Sequence, residues 1–187
     1  MESLVQKSKK PSFSDGFYHP KTTLTFPGLI ERRPDDQKGF RPLKVYTDGI
    51  ENMAWQTGYS SGNYAAITTT TKEANALFVE VKGTSSTSIY IVREFVTTAQ
   101  IDFTNYKLLV VEWECIQNSG AVALSLVTNT NVDPNASGRI FNKNSIYSRT
   151  IDTWDISSYN GSYNLAFYAR AGQNGWASGR VYKIYLV

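Results

Sequence analysis

The chain has one cysteine and one histidine in 187 residues. Cys115 therefore has no partner for an internal disulfide, and the mid-strand sequence around it reads as a small buried hydrophobe. His19 alone excludes multi-histidine metal sites and most histidine-based catalysis, and no Cys/His set of zinc spacing is present. No run of about 18 uncharged apolar residues occurs, which excludes a helical membrane span. The first 30 residues hold no apolar stretch of the signal-peptide kind, so no secretory leader is expected. The glycine stretches 117-QNSGAV-122, 160-NGSY-163 and 172-GQNGWASG-179 match neither phosphate-loop pattern, and none opens a helix. No window of helical length has a clean 3.6-residue period, and no solenoid repeat is visible.

Charge is unevenly placed. The formal net charge is +3, and residues 1–42 hold eight basic residues against five acidic ones. Residues 43–187 hold eleven of each and cancel. Pro11, Pro20, Pro27 and Pro34 lie in the first segment, with Pro42 at its border and only Pro134 beyond. Proline at this density blocks helix and central strand. Residues 1–42 are therefore expected to form an extended basic arm, and residues 43–187 a single domain. Phe13, Phe17, Tyr18, Leu24, Phe26, Leu29 and Ile30 are too many apolar residues for a plain linker. They mark an arm that lies on its own domain or on a partner, with Lys9, Lys10, Phe13, Phe17, Arg32 and Arg33 as docking candidates. Lys7, Lys9 and Lys10 make only a weak footprint for nucleic acid, and the domain behind them is neutral, so no nucleic-acid partner is assigned.

From Leu43 the pattern has period two and is rich in β-branched and aromatic residues. In 76-ALFVEVKG-83, Leu77, Val79 and Val81 share one face, opposite Phe78, Glu80 and Lys82. In 106-YKLLVVEWEC-115, Leu109, Val111, Trp113 and Cys115 share one face, opposite Glu112 and Glu114. Further strands are expected at 87–96, 121–127, 146–156, 163–170 and 180–187. The Thr run at 68–71 and the Ser/Thr stretch at 84–88 read as loops, and 69–77 as holding a short turn. Roughly eight short strands without intervening helices point to an antiparallel β-sandwich or jelly roll.

Few constellations carry chemistry. Glu112 and Glu114 stand about 7 Å apart along a strand, within the carboxylate separation of inverting glycosidases. Any Glu-x-Glu on a strand has that spacing, so a solvated or charge-paired outer face is the favoured reading, and the same holds for Asp152 and Asp155 beside Trp154. Asn129, Asn131, Asp133 and Asn135 alternate as in a calcium loop. Pro134 replaces the turn glycine, though, and Ile140 stands where a bidentate glutamate is needed, which favours a polar hairpin loop. No cofactor, no metal site and no catalytic residue is assigned. Trp176, in a polar loop from 171 to 180 between two strands with Gln173 and Asn174, fits an aromatic that stacks on a sugar while amides bind hydroxyls. Tyr59 and Tyr64 fit the same role less well. The alternative for Trp176 is a plug on the sandwich end.

The phrase 101-IDFTNYKLLVVEWE-114 resembles a recurrent phrase in jelly-roll tail and baseplate proteins of phages of Gram-positive bacteria, with Phe103 where leucine is usual. The phrases 154-WDISSYNGSYNLAFYA-169 and 180-RVYKIYLV-187 look like the later elements of such domains. The order is also similar to carbohydrate-binding-module and discoidin-like jelly rolls. The resemblance implies a non-catalytic virion protein at a phage tail or baseplate, made in the host cytoplasm. Such a protein docks through its arm on other virion proteins, forms a homo-oligomer and adheres to host cell-wall glycan. The alternative it leaves is a free carbohydrate-binding module. Asp102 and Asp155 are expected to cap turns.

Overall fold

The computed structural model describes residues 42–61, 67–84, 91–143 and 147–187. It contains twelve strands: β1 (Leu43–Thr47), β2 (Trp55–Ser61), β3 (Ile67–Lys72), β4 (Leu77–Lys82), β5 (Ile91–Thr97), β6 (Ile101–Asp102), β7 (Leu108–Asn118), β8 (Gly120–Val127), β9 (Ile140–Lys143), β10 (Tyr147–Asp155), β11 (Ser162–Ala171) and β12 (Trp176–Leu186). A single 3₁₀ turn, Pro134–Ala136, is the one helical element among the described residues. The proposed arm, including Lys9, Lys10, Phe13, Phe17, His19, Arg32 and Arg33, lies outside the described residues.

The strands form two antiparallel sheets that pack as a β-sandwich of the jelly-roll kind. The first has the order β10-β7-β12-β4-β3, and β1 joins β12 beyond the end of β4. The second has the order β2-β5-β11-β8-β9, and β6 joins β11 beyond the end of β5. The three longest strands, β7, β12 and β11, are each flanked on both sides, which is where burial is greatest. Between the sheets, Leu77, Ile91, Phe103, Leu109, Trp113, Leu124, Phe167 and Leu186 build one core. Thr57 Oγ1 lies 3.2 Å from Thr70 Oγ1, and Lys72 Nζ donates to the Trp55 carbonyl at 2.7 Å, so β2 and β3 close one side of the sandwich.

The two sheets bury their faces differently. In β4 burial alternates strictly, and Leu77, Val79 and Val81 face the core. In β8 and β11 almost every residue is buried, because both faces of that sheet are covered.

Three expectations are corrected. Thr68–Thr71 are not a loop but the body of β3, since threonine is β-branched and suits an edge strand. The closing strand starts at Trp176, four residues before the expected 180, and only residues 172–175 turn between β11 and β12. The count of about eight strands rises to twelve among the described residues, because short pairings such as β6 and β9 need a neighbour to exist at all. The stretch 85–90 and Tyr64 lie outside the described residues.

The two phrases of the sequence resemblance meet in space. Ile101 pairs with Tyr163 and Asp102 with Ser162. The Phe103 ring, fully buried, meets Tyr163 edge to face at 5.9 Å. Asp102 Oδ1 accepts the Thr104 amide at 3.0 Å, and Asp155 Oδ1 accepts the Ser157 amide at 2.8 Å. Both aspartates cap turns, and hydrogen bonds from the Thr104 and Ser157 hydroxyls, with those from their amides, hold both carboxyls below the usual value.

Candidate functional site

The outer face of the first sheet carries Trp176. Its backbone is fixed from β8's side of the molecule: the Trp176 amide donates to Ser119 Oγ at 2.6 Å and the Ser119 amide to the Trp176 carbonyl at 2.9 Å. The turn before it is equally constrained. Asn174 has φ of 53°, and Gly175 is buried where a Cβ would stand 2.9 Å from the Ser119 carbonyl. The Gly83 amide donates to the Gly175 carbonyl at 2.8 Å. Gln173 and Asn174 are exposed at the tip of this turn.

The indole itself is clamped. Trp176 Nε1 donates to Glu80 Oε1 at 2.9 Å, and the Lys82 ammonium lies 4.8 Å from the ring centroid. Glu80 and Lys82 come from β4, where Trp176 pairs with Lys82. Trp176 is half-buried, so the ring is neither a plug inside the sandwich end nor a free side chain. The patch therefore gathers an immobilised aromatic ring, a carboxylate, an ammonium and two exposed amides. That set can stack on the C–H face of a sugar and hydrogen-bond its hydroxyls. Alternation in 76–83 places Glu80 and Lys82 outward, but nothing local ties them to a tryptophan 96 residues away.

The rest of this face is an ion-paired ladder. Glu112 accepts Arg149 Nε at 2.5 Å and lies 3.1 Å from Lys183 Nζ. Glu114 Oε1 accepts Arg180 Nη1 at 2.8 Å and the Tyr182 hydroxyl at 2.9 Å. Arg180 Nε reaches Glu73 at 2.6 Å. Bonds to Glu73 and Glu114 raise the Arg180 guanidinium, and burial together with Glu114 pushes the Tyr182 hydroxyl up to about 12. Arg149 covers the Tyr182 ring at 3.9 Å and Arg180 the Phe78 ring at 5.0 Å. Glu112 and Glu114 thus stand on the outer face, as alternation predicts, and the structure shows each carboxylate committed to cations.

Tyr59 stands on the opposite sheet. It packs beside Val92, Ala123 and Tyr168, so it does not join Trp176 in one site. The side chains of Asn129, Asp133 and Asn135 are engaged within the protein. Asn129 Oδ1 accepts the Asn131 amide, Asp133 Oδ1 the Asn135 amide, and Asn135 Oδ1 accepts Arg170 Nη1. Among the described residues no group of three or more His, Cys, Asp and Glu could hold a metal ion. No helix among them is long and apolar enough to cross a membrane. Cys115 is buried in the core, as its strand position predicts.

No family model matches the sequence, and no curated protein matches it. Solved structures do match in shape. A family 11 carbohydrate-binding module from Clostridium thermocellum, in complex with a β-1,3-1,4-mixed-linked tetrasaccharide, is 13% identical with a TM-score of 0.51. The match covers 78% of this chain and 95% of that one. The family 11 module of a cellulosomal cellulase from the same organism is 13% identical, covering 77% of this chain and 94% of its own, with a TM-score of 0.49. An enzymatically active tailspike domain of bacteriophage CBA120 is 12% identical, covering 78% of this chain and 21% of its own, with a TM-score of 0.46. At this identity the likeness establishes the sandwich fold.

Proposed function

We propose that the domain is a non-catalytic glycan-recognition module whose contact patch is Trp176 with Glu80, Lys82, Gln173 and Asn174. The observation that carries this reading is the clamped indole. An aromatic ring held by Glu80 in one orientation at the start of a strand, beside an exposed turn, loses little entropy when a sugar stacks on it. Lys82 over the ring is exposed and lifts away at small cost, since an exposed cation–π contact contributes only about 0.5–1 kcal/mol. Titration of the full chain against a panel of cell-wall and plant glycans tests it. Trp176→Ala should weaken binding at least tenfold, by the loss of about 1.4 kcal/mol or more, with the circular dichroism unchanged. A wild-type chain that binds none of the panel would overturn the reading. Release of reducing sugar from any of these glycans would overturn its non-catalytic part.

We propose further that this module serves adhesion on a phage particle. Support comes from the packing of 101-IDFTNY-106 against 160-NGSY-163, which makes the two resembling phrases one structural unit. Mass spectrometry of gradient-purified particles from the source strain tests the setting. Peptides at a fixed ratio to the major tail protein are expected, and abundance in the lysate with absence from particles would overturn it.

A further inference from the structure

Residues 128–139 form a strap across the outer face of the second sheet. Val132 packs on Val96, Val127 and Ala166. Ser125 Oγ donates to the Pro134 carbonyl at 2.8 Å and meets Ser137 Oγ at 2.5 Å. Arg170 Nη1 donates to Asn135 Oδ1 at 2.7 Å. The strap's ends are held by Gln100 Nε2 on the Thr128 carbonyl, at 2.7 Å, and by the Leu126 amide on the Arg139 carbonyl, at 3.1 Å.

Beneath this strap lies Glu94, with no exposed surface. Its Oε1 accepts the Tyr59 amide at 2.5 Å, while its Oε2 is buried without a hydrogen-bond partner. The space is tight. A Cβ on Gly58 would stand 2.2 Å from Glu94 Oε1 and 2.9 Å from the Thr130 carbonyl oxygen, so the carboxyl and the strap backbone crowd one small volume.

The groups around it do not compensate a charge. Tyr59 comes from β2, Tyr168 and Arg170 from β11, and Asp133 from the strap. The facing β8 residues, Ala123 and Ser125, carry no titratable group. Arg170 is spent on Asn135, Asp133 adds like charge, and no ion pair reaches Glu94 among the described residues. A neutral carboxylic acid is tolerable there, but an unpaired carboxylate is not.

We propose that the strap is a pH-gated cover: it lies on the sheet while Glu94 keeps its proton, and it lifts when that proton goes to solvent, uncovering Val96, Val127, Ala166 and Arg170. Burial, reinforced by Asp133, pushes the Glu94 carboxyl up to about 8, which sets the pH of the transition. The device sits on the sheet opposite Trp176 and does not depend on glycan binding.

Hydrogen exchange of the full chain, corrected for the intrinsic pH effect, tests the gate. Residues 128–139 should open at least tenfold more at pH 9 than at pH 6, while β8 and β11 stay protected. Glu94→Gln, neutral at both values, should remove the difference. Asp133→Asn removes the like charge and should move the transition to lower pH. Equal opening of the wild-type strap at both pH values would overturn the proposal, as would a Glu94→Gln chain that keeps the wild-type dependence. If Glu94→Gln fails to fold, an unmoved transition in Asp133→Asn decides against it.

Discussion

Trp113 and Asp152 are joined across neighbouring strands: the buried indole Nε1 donates to Asp152 Oδ2 at 2.5 Å. Asp152 lies on β10, the edge strand, and supplies the polar partner that the largest core side chain needs. The same tryptophan meets Trp154 edge to face at 5.5 Å. Asp152→Ala would leave the indole N–H without this acceptor in the core. A loss of about 1–3 kcal/mol is expected, read as a lower urea midpoint at unchanged slope. Asp152→Asn retains an acceptor oxygen and should lose less.

Stability should fall with rising pH through Glu94. Its folded value, about 8, lies above the ordinary 4.5 because burial disfavours the charged form. The folded state therefore binds this proton more tightly than the unfolded chain. The stabilisation is fully present below about 4.5 and is lost as pH rises through about 8. Urea midpoints at pH 5 and pH 9 should differ by the equivalent of about 2–4 kcal/mol. Glu94→Gln should flatten the profile, and an equally steep profile in that variant would assign the dependence to other groups.

Two glycines separate steric from conformational demand. A Cβ on Gly120 would stand 2.0 Å from the Arg170 carbonyl oxygen, on backbone that cannot yield. Gly138 has φ of +72° with nothing within 4 Å of its Cβ position. Gly138→Ala should lose about 1–2 kcal/mol from the left-handed backbone alone. Gly120→Ala should lose more, about 3 kcal/mol, by forcing β8 off β11. Thermal denaturation of both variants in one buffer checks the order.

The ladder centred on Arg180 should respond to salt. Arg180→Met removes the cation shared by Glu73 and Glu114, leaving Glu114 to Tyr182. These side chains are partly exposed, so screening limits the loss to about 1 kcal/mol. The wild-type margin over Arg180→Met should shrink between 0.05 and 1 M sodium chloride, roughly the range over which the Debye length falls from above 10 Å to about 3 Å. A margin unchanged by salt would assign the effect to packing of the Arg180 stem on Phe78.

The sequence by itself determined an all-β sandwich. Period-two patterning is a local property, and where one sheet face is buried it survives intact, as in Leu77, Val79 and Val81. It also determined that Glu112 and Glu114 face outward, that Cys115 faces inward, and that Asp102 and Asp155 cap turns, because each depends on neighbours within a few residues. Only the tertiary structure decided the rest. Trp176 meets Glu80 and Lys82 because β12 pairs with β4, a long-range choice of register that no local pattern encodes. Tyr59 falls on the other sheet for the same reason. Thr68–Thr71 become a strand only beside β4. In β8 and β11 the alternation disappears, since the strap from 128 to 139, together with Tyr59 and Ile140, covers the second face. That cover leaves Glu94 sealed away from water.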